Sequence, residues 1–367
     1  MLRIVRLSAV VMALTVSLAA CTEGTGLGDE PFDPELSAAD LEAVQGAFAA
    51  SVFESLAIGS QDFILVPDPP PLPVALLQAS LAAASGSHWQ ASAAAEAFAA
   101  GPASGPLLPD EFAGRTYIRD VEGYRWDETR SDAPTNGVRF VLYEVDPVTR
   151  EPGTTEIGYV DLLDESTLDA YVARVVVVTN GVVRINYFVS AGVQDLTLTL
   201  TVSGFIGDGT NRIDVDLSVS FVEDGPISVV TVEHVFSVPA RDFEVEARVV
   251  FEFNQETLAG SIDVAASFMQ GVHTVTVAGV IEFTEGDFPD ESGSFEIHVN
   301  GLLFATIVVD GDVVVVQNGA GNELTSADAQ ALRSIFDGLT DMFDETFEDF
   351  VRPVAWMFDA NRSGGTQ

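Results

Sequence analysis

Residues 213–221 read IDVDLSVSF, and apolar and polar side chains alternate at every position of this stretch. A similar alternation occupies residues 196–202, which read LTLTLTV, and residues 243–253, which read FEVEARVVFEF. A period of two is typical of a β-strand that buries one face and leaves the other in water. These stretches therefore predict half-buried antiparallel strands with an acidic or threonine-rich wet face.

The alternation continues in both directions, from residue 111 to residue 320, and predicts roughly a dozen strands of ordinary length. Tight-turn signals separate several of them. They are Asn180-Gly181, Asp224-Gly225, Gln270-Gly271 and Asp310-Gly311. Connections this short leave no room for crossover helices, so we predict a large curved antiparallel β-meander.

Both ends of the meander are predicted to be helical. Residues 36–110 begin with an N-cap signal at Ser37 and continue with apolar residues at helical spacing. Residues 321–360 contain a helix that starts near Thr325 and has an apolar stripe opposite an acidic face. The stripe consists of Leu332, Ile335, Phe336, Leu339, Phe343, Phe347 and Phe350. Because the apolar face of the meander cannot be left to water, we predict that these amphipathic helices pack on it.

Together these elements predict a β-rich α+β fold, with one domain over residues 36–360. Residues 21–35 are rich in Gly, Pro and acid and are predicted to be a flexible tether, and residues 361–367 a tail. The chain has a single cysteine, so an intrachain disulfide is excluded and the fold depends on its core.

The charge excludes nucleic acid as a partner. The chain has 56 acidic residues against 16 basic ones, all arginine, which gives a formal net charge of -40. Binding to phosphates requires a basic patch that releases counterions. A disordered acidic chain is also excluded, because 47% of the residues are hydrophobic. The acidic, lysine-free composition is typical either of proteins that face saline water or of proteins encoded by GC-rich genomes.

The first 21 residues contain a localisation signal. Arg3 and Arg6 precede an apolar run that ends in Leu18-Ala19-Ala20-Cys21, and Cys21 is the only cysteine. The run is too short to be a membrane-spanning helix. Its last four residues resemble the lipobox of bacterial lipoproteins.

This resemblance implies that residues 1–20 are removed as a signal peptide and that Cys21 becomes a lipid-modified N-terminus. The acyl chains would hold the protein on a membrane of the cell envelope. The residue after the cysteine is Thr22, whereas an aspartate at this position would favour retention in the inner membrane. We therefore expect the protein to be anchored in the outer membrane. An ordinary secretory signal with an incidental cysteine is the alternative.

Candidate metal ligands occur mainly in two oxygen-rich turns. One contains Glu285, Asp287, Asp290 and Glu291, and the other is Asp208-Gly209-Thr210-Asn211. Neither has the spacing of an EF-hand, so we favour solvated turns and keep calcium as the alternative. The four histidines, His88, His234, His273 and His298, form neither helical pairs nor His-x-His pairs. We expect isolated histidines, and no cofactor besides calcium is predicted.

The sequence has no Gly-x-Ser-x-Gly elbow and its cysteine is committed to lipid, so we predict a protein that is not an enzyme. The candidate lining of a lipid pocket is Phe336, Phe343, Phe347 and Phe350, although such stripes more often form plain core. The order of helices, long meander and helix resembles in outline the half-barrel lipoproteins that carry lipids. This resemblance implies a binding or carrier module for an apolar, lipid-like ligand.

The alternative function is that of a structural or surface-interaction lipoprotein of the envelope, with a filled core and no ligand. Residues 143–150 and 156–161 resemble segments of bacterial lipoproteins to which no function is assigned, so they do not separate the two. The sequence predicts no specific protein partner.

Replacing Cys21 with Ala should abolish metabolic labelling of the protein with palmitate, because the chain has no other thiol to accept the diacylglycerol. The unprocessed precursor should accumulate, which a shift in electrophoretic mobility would measure. Labelling that persists in this variant would remove the basis for a lipid anchor.

Overall fold

The computed structural model describes residues 55–56 and 107–333, with gaps at 121–122, 147, 150, 168–169, 195–196, 208, 210, 285–290, 312, 327 and 331. Fifteen strands form a single sheet. The first eight are β1 (Arg115–Asp120), β2 (Gly123–Trp126), β3 (Gly137–Val145), β4 (Pro152–Asp164), β5 (Ala170–Thr179), β6 (Val182–Gln194), β7 (Thr197–Gly207) and β8 (Arg212–Asp224). The others are β9 (Ile227–Val238), β10 (Phe243–Asn254), β11 (Gly260–Gln270), β12 (His273–Phe283), β13 (Glu291–Val299), β14 (Leu302–Asp310) and β15 (Val313–Asn318).

The order of strands in the sheet follows the order of the chain from β3 to β15, which confirms the predicted meander over this range. Tight turns make this possible. At the β5–β6 turn, Asn180 and Gly181 have φ angles of 52° and 74°. Two successive positive φ angles are those of a type I′ turn, whose twist matches that of antiparallel strands. Asn300 and Gly301, between β13 and β14, have the same signs of φ.

The start of the sheet departs from the predicted meander. β2 folds back on β1 and lies at the end of the sheet, and β1 pairs in parallel with β3. The connection from Trp126 to Gly137 brings the chain back to the free side of β1, and it is tied there by hydrogen bonds. Asp127 N donates to Thr116 O (2.9 Å), and the Thr116 hydroxyl donates to Asp132 (3.1 Å). A connection of this length can pass from one side of β1 to the other as it reverses the chain, which the turn signals did not reveal.

The sheet has fifteen strands where roughly a dozen were predicted. The excess comes from short strands: β1, β2 and β15 have 6, 4 and 6 residues. Alternation over so few positions is a weak signal.

Helix is nearly absent from the described residues, unlike the predicted arrangement of helices packed on the sheet. It is confined to residues 55–56, to a 3-10 turn at Pro239–Arg241 and to a segment that begins at Ser326. Thr325 caps this segment: Asp328 N donates to its hydroxyl (3.1 Å), which donates to the Asp328 carboxylate (2.7 Å). The predicted start near Thr325 is therefore confirmed, whereas the remaining predicted helical residues of 36–106 and 334–360 lie outside the described residues.

The chain divides into two compact units within β8, between Asp216 and Leu217. We call the strands before this point the first unit and those after it the second unit. In each unit one face of the sheet, called here the apolar face, has buried aliphatic and aromatic side chains. The opposite face, called the polar face, has most of the charged side chains. The alternation that predicted this arrangement is confirmed: Ile213, Val215, Leu217, Val219 and Phe221 are all buried.

In the first unit the apolar face is buried across β3 to β7. Tyr187 lies at its centre with no exposed surface, opposite Val175 on β5 and Gly204 on β7. Other buried residues of this face are Val138, Phe140, Leu142, Val160, Leu162, Val177, Ile185, Val189, Leu200 and Val202. Each large side chain removed from water contributes about 1.5–3 kcal/mol, so this face supplies the main stabilisation of the unit.

In the second unit two phenylalanine rings lie across glycines of neighbouring strands. A Cβ atom at Gly279 would come within 2.5 Å of Phe295 Cδ1, and one at Gly260 within 2.7 Å of Phe283 Cζ. In such a pair the aromatic ring covers the backbone that the glycine would leave exposed. Both pairs are on the apolar face, because Gly279 is opposite Val264 and Gly260 is opposite Phe253.

Replacing Gly279 with Ala should destabilise the protein by about 1–3 kcal/mol, because the added methyl group has to displace the Phe295 ring or the backbone beneath it. Urea denaturation would measure the loss. The matched control is Ala278→Val, since Ala278 is exposed on the polar face of the same strand. Equal unfolding midpoints for Gly279→Ala and the wild type would contradict the close contact.

Candidate functional site

Most residues that the sequence singled out lie outside the described residues. This applies to Cys21, to Phe336, Phe343, Phe347 and Phe350, to Glu285, Asp287 and Asp290 of the first candidate calcium loop, and to Asp208 and Thr210 of the second. Glu291 is described: it begins β13 opposite Phe283, and its carbonyl accepts a hydrogen bond from Gly311 N (2.7 Å). Among the described residues, no group of three or more His, Cys, Asp or Glu side chains is placed to hold a metal ion.

The apolar face of the second unit has two zones, and the first of them is fully buried. Three phenylalanines from successive strands form its core. The rings of Phe236 and Phe243 meet edge to face at 6.5 Å, and those of Phe243 and Phe268 at 5.3 Å. Such aromatic pairs contribute about 0.5–1.5 kcal/mol beyond their buried area. This zone is ordinary protein core.

The second zone continues the same face along the strands. Its residues on β9 to β11 are half-buried, whereas Ile281 on β12 and Ile307 and Val309 on β14, which belong to the same rows, are buried. Val232, Val249 and Val264 form one row of cross-strand neighbours, and Val230, Phe251 and Ile262 form the next. We define the valine–phenylalanine band as these rows together with the two rings that lie over glycines. Its members are Val230, Val232, Val249, Phe251, Ile262, Val264, Phe283 and Phe295, all of them half-buried.

The change from one zone to the other occurs within single strands. In β10, Phe243, Val245 and Ala247 are buried, whereas Val249 and Phe251 keep part of their surface in water. The residues of β10 on the apolar face are apolar on both sides of this change, and Val250 is the one apolar residue at a polar-face position. The difference in burial is therefore a property of the packing above the strand. Contiguous apolar surface that a folded protein leaves partly open is characteristic of binding sites for apolar ligands or partners.

His234 lies at the boundary between the two zones. It is opposite Ala247 on β10, is only 1% exposed, and its ring centroid is 6.2 Å from that of Phe236. Burial lowers the pKa of His234 from its ordinary value to about 4, because the apolar surroundings disfavour the imidazolium. His234 is therefore neutral at physiological pH. It shares its face with Val230, Val232 and Phe236, as its position in the sequence predicts.

The strongest ionic contacts are on the polar face of the first unit. Arg139 Nε and Nη2 donate to the two oxygens of Asp161 (2.6 and 2.8 Å), and Nη1 donates to Asp132 (2.8 Å). The guanidinium also lies 3.6 Å from the centre of the Tyr159 ring. Hydrogen bonding to Asp161 raises the pKa of Arg139 above its already high ordinary value. This arrangement joins β3 to β4 and fixes the connection after β2, which is a structural role.

Sequence reasoning missed the band as a candidate site and placed the ligand-lining residues on the C-terminal helix instead. The residues of the band come from five strands and are adjacent only through strand register. The available signal was the density of phenylalanine and valine on one face of residues 243–253. That signal alone does not separate buried core from partly open surface.

Acidification should destabilise the protein through His234. The folded state holds this side chain neutral down to a pKa of about 4, whereas the unfolded chain takes up the proton near pH 6.5. Stability from this source is complete above pH 6.5 and is lost as the pH falls towards 4, by roughly 2–3 kcal/mol at pH 4.5. Urea unfolding at pH 7.5 and 4.5 would measure this effect.

The His234→Leu variant should lose this part of the pH dependence, since leucine has a similar size and no proton to bind. His298→Leu is the control, because His298 lies on the polar face beside Glu296 (3.9 Å). A pH dependence that is the same in the wild type and in His234→Leu would show that the histidine is not held neutral by burial.

Two further comparisons concern the chain as a whole. Among the described residues, none of the helical segments has the length and apolar character needed to span a membrane. No protein-family model, curated protein or solved structure matches the chain at a significant level.

Proposed function

We propose that this chain is a lipid-anchored protein of the bacterial cell envelope that binds an apolar, lipid-like ligand and catalyses no reaction. The ligand site is the valine–phenylalanine band. The attachment is the acylated Cys21, and the outer membrane is the expected location, because Thr22 follows the cysteine.

The observation that carries the proposal is the partial exposure of the band. Its side chains come from β9 to β13 and form one apolar surface without a charged side chain among its eight members. Leaving such a surface in water costs about 25 cal/mol for each Å² of apolar area. A ligand that covers the band recovers this free energy.

The proposal includes the cover that the sequence predicts for the apolar face. We propose that amphipathic helices from residues 36–110 and 321–360 pack against it, and that Phe336, Phe343, Phe347 and Phe350 contribute to the ligand site. Support comes from the capped start of the second helix, where Leu324, Ala329 and Leu332 are buried. Such a helix would present the phenylalanines at helical spacing along the same stripe.

The alternative is a structural lipoprotein of the envelope with a filled core, and the first unit favours it. There the apolar face is buried from β3 to β7, and Tyr187, Val160 and Leu162 have no exposed surface. A protein of this kind would use its acidic polar face towards other components of the envelope. The two functions differ in whether the band holds a ligand.

Native mass spectrometry tests the proposal directly. The chain from residue 21 onwards, with Cys21→Ser to prevent acylation, would be purified from a bacterial host without detergent. We expect a fraction of molecules to retain a co-purified apolar compound, which is released under denaturing conditions. Phe251→Asn should reduce this fraction several-fold, because it places a polar amide in the centre of the band.

The matched control is Glu252→Gln, the next residue of β10, which is exposed on the polar face. It removes a charge without touching the band and should leave ligand retention unchanged. A protein that carries no compound, and whose variants behave alike, would favour the structural alternative.

A further inference from the structure

We infer that the ligand of the valine–phenylalanine band is a neutral apolar molecule, and that lipids with anionic heads, such as fatty acids and phospholipids, are excluded. The inference rests on the proposed function and specifies its ligand class. It follows from the charges that surround the band.

The second unit has very few cations with which to pair an anionic head. From Leu217 to Arg333 the sequence has 19 acidic residues, three arginines and no lysine. Arg248 is on the polar face, 3.4 Å from Glu233, and Arg241 is in the 3-10 turn after β9. Arg333 lies in the helical segment after the last strand, with its Nε buried, so no arginine of β8 to β15 itself is on the apolar face.

The polar groups that border the band are acidic or uncharged. Glu291 begins β13 on the apolar face, opposite Phe283. Ser228, opposite Phe253, adds a hydroxyl that accepts a hydrogen bond from Gln255 (2.8 Å). His234 lies one row from Val232 and is neutral, since burial lowers its pKa to about 4. On β9 to β13, the strands that form the band, no positively charged side chain is therefore on the apolar face.

An anionic head group at this surface would lose its hydration without gaining an ion pair. Burying a charge without a partner costs more free energy than burying a paired one. The anionic head group would also be repelled by the excess of carboxylates in the unit, most strongly at low salt. A neutral head group has no charge to desolvate and is not repelled by the carboxylates. It can also hydrogen-bond to groups such as the Ser228 hydroxyl. The charge of the head group therefore decides which apolar ligands bind the band, and neutral ones are preferred.

Two fluorescent probes test this selection because they differ by one charged group. N-Phenyl-1-naphthylamine is neutral, and 1-anilinonaphthalene-8-sulfonate has the same rings with a sulfonate. Both would be titrated into the chain from residue 21 onwards with Cys21→Ser, at low salt and in molar NaCl. We expect the neutral probe to bind at least about tenfold more tightly at low salt, and salt to narrow the difference.

Variants connect the binding to the band. Phe251→Asn and the nearly isosteric Val249→Thr should weaken binding of the neutral probe, whereas Glu252→Gln should not. Glu291→Gln removes the carboxylate that borders the band, so it should strengthen binding of the sulfonate and leave the neutral probe unchanged. Circular dichroism and melting temperatures would show that each variant is folded. If Phe251→Asn does not fold, Val249→Thr provides the test.

The outcomes separate the inference from the function on which it rests. If the sulfonate binds as tightly as the neutral probe and both respond to Val249→Thr, the inference is wrong and the band still binds ligands. If neither probe responds to variants of the band in folded protein, the proposed function itself fails. A preference for the neutral probe that Val249→Thr weakens and Glu252→Gln does not supports both.

Discussion

Strand register is the constraint on which the rest of this structure depends. Each strand from β3 to β15 lies next to its sequence neighbour in the sheet, and side chains alternate between the two faces. If the register of any pair of strands slipped by one residue, the valines and phenylalanines of one strand would face water. The carboxylates of that strand would then be buried in their place. Tight turns hold the register, and the irregularities at Leu142/Tyr143, Val177/Val178 and Ile297/His298 are local shifts that the neighbouring strands accommodate.

The polar face has few positively charged side chains, and they are unevenly distributed between the two units. Nine arginines lie between residues 107 and 216, against three between 217 and 333. In the first unit arginines stack on aromatic rings of the neighbouring strand, as Arg174 does on Phe188 (5.0 Å) and Arg212 on Phe205 (4.1 Å). Arginine suits this position because its planar guanidinium can stack on a ring and bind carboxylates at its edge. The second unit leaves most of its carboxylates to solvent and counterions.

The two units differ in how completely their apolar faces are covered, and this difference is the basis for a binding function. In the first unit the face is buried around Tyr187, while on β10 of the second unit burial ends between Ala247 and Val249, although Ile281 and Ile307 of the same rows are buried. The part that stays partly open is apolar and is bordered by Glu291 and a neutral histidine. Its chemistry therefore limits both the kind of ligand and the charge of that ligand.

The strands and their two faces follow from local sequence patterns. An alternation of apolar and polar residues over ten positions is unambiguous, and dipeptides such as Asn180-Gly181 specify turns that join antiparallel neighbours. The sequence also predicted the start of a helix near Thr325, because that signal depends on residues close in the chain. The signal at Cys21 is equally local, and it remains a prediction about processing.

The order of β1, β2 and β3 and the place of the candidate site depend on contacts between residues far apart in the chain. The parallel pairing of β1 with β3 depends on hydrogen bonds between Thr116, Asp127 and Asp132, which no local pattern encodes. The band likewise exists only through the registers of β9 to β13. Val249 and Val245 look alike in sequence, and they differ because packing covers one and leaves the other half-exposed. Local alternation specifies which face is apolar, whereas contacts between distant residues decide how much of that face is closed.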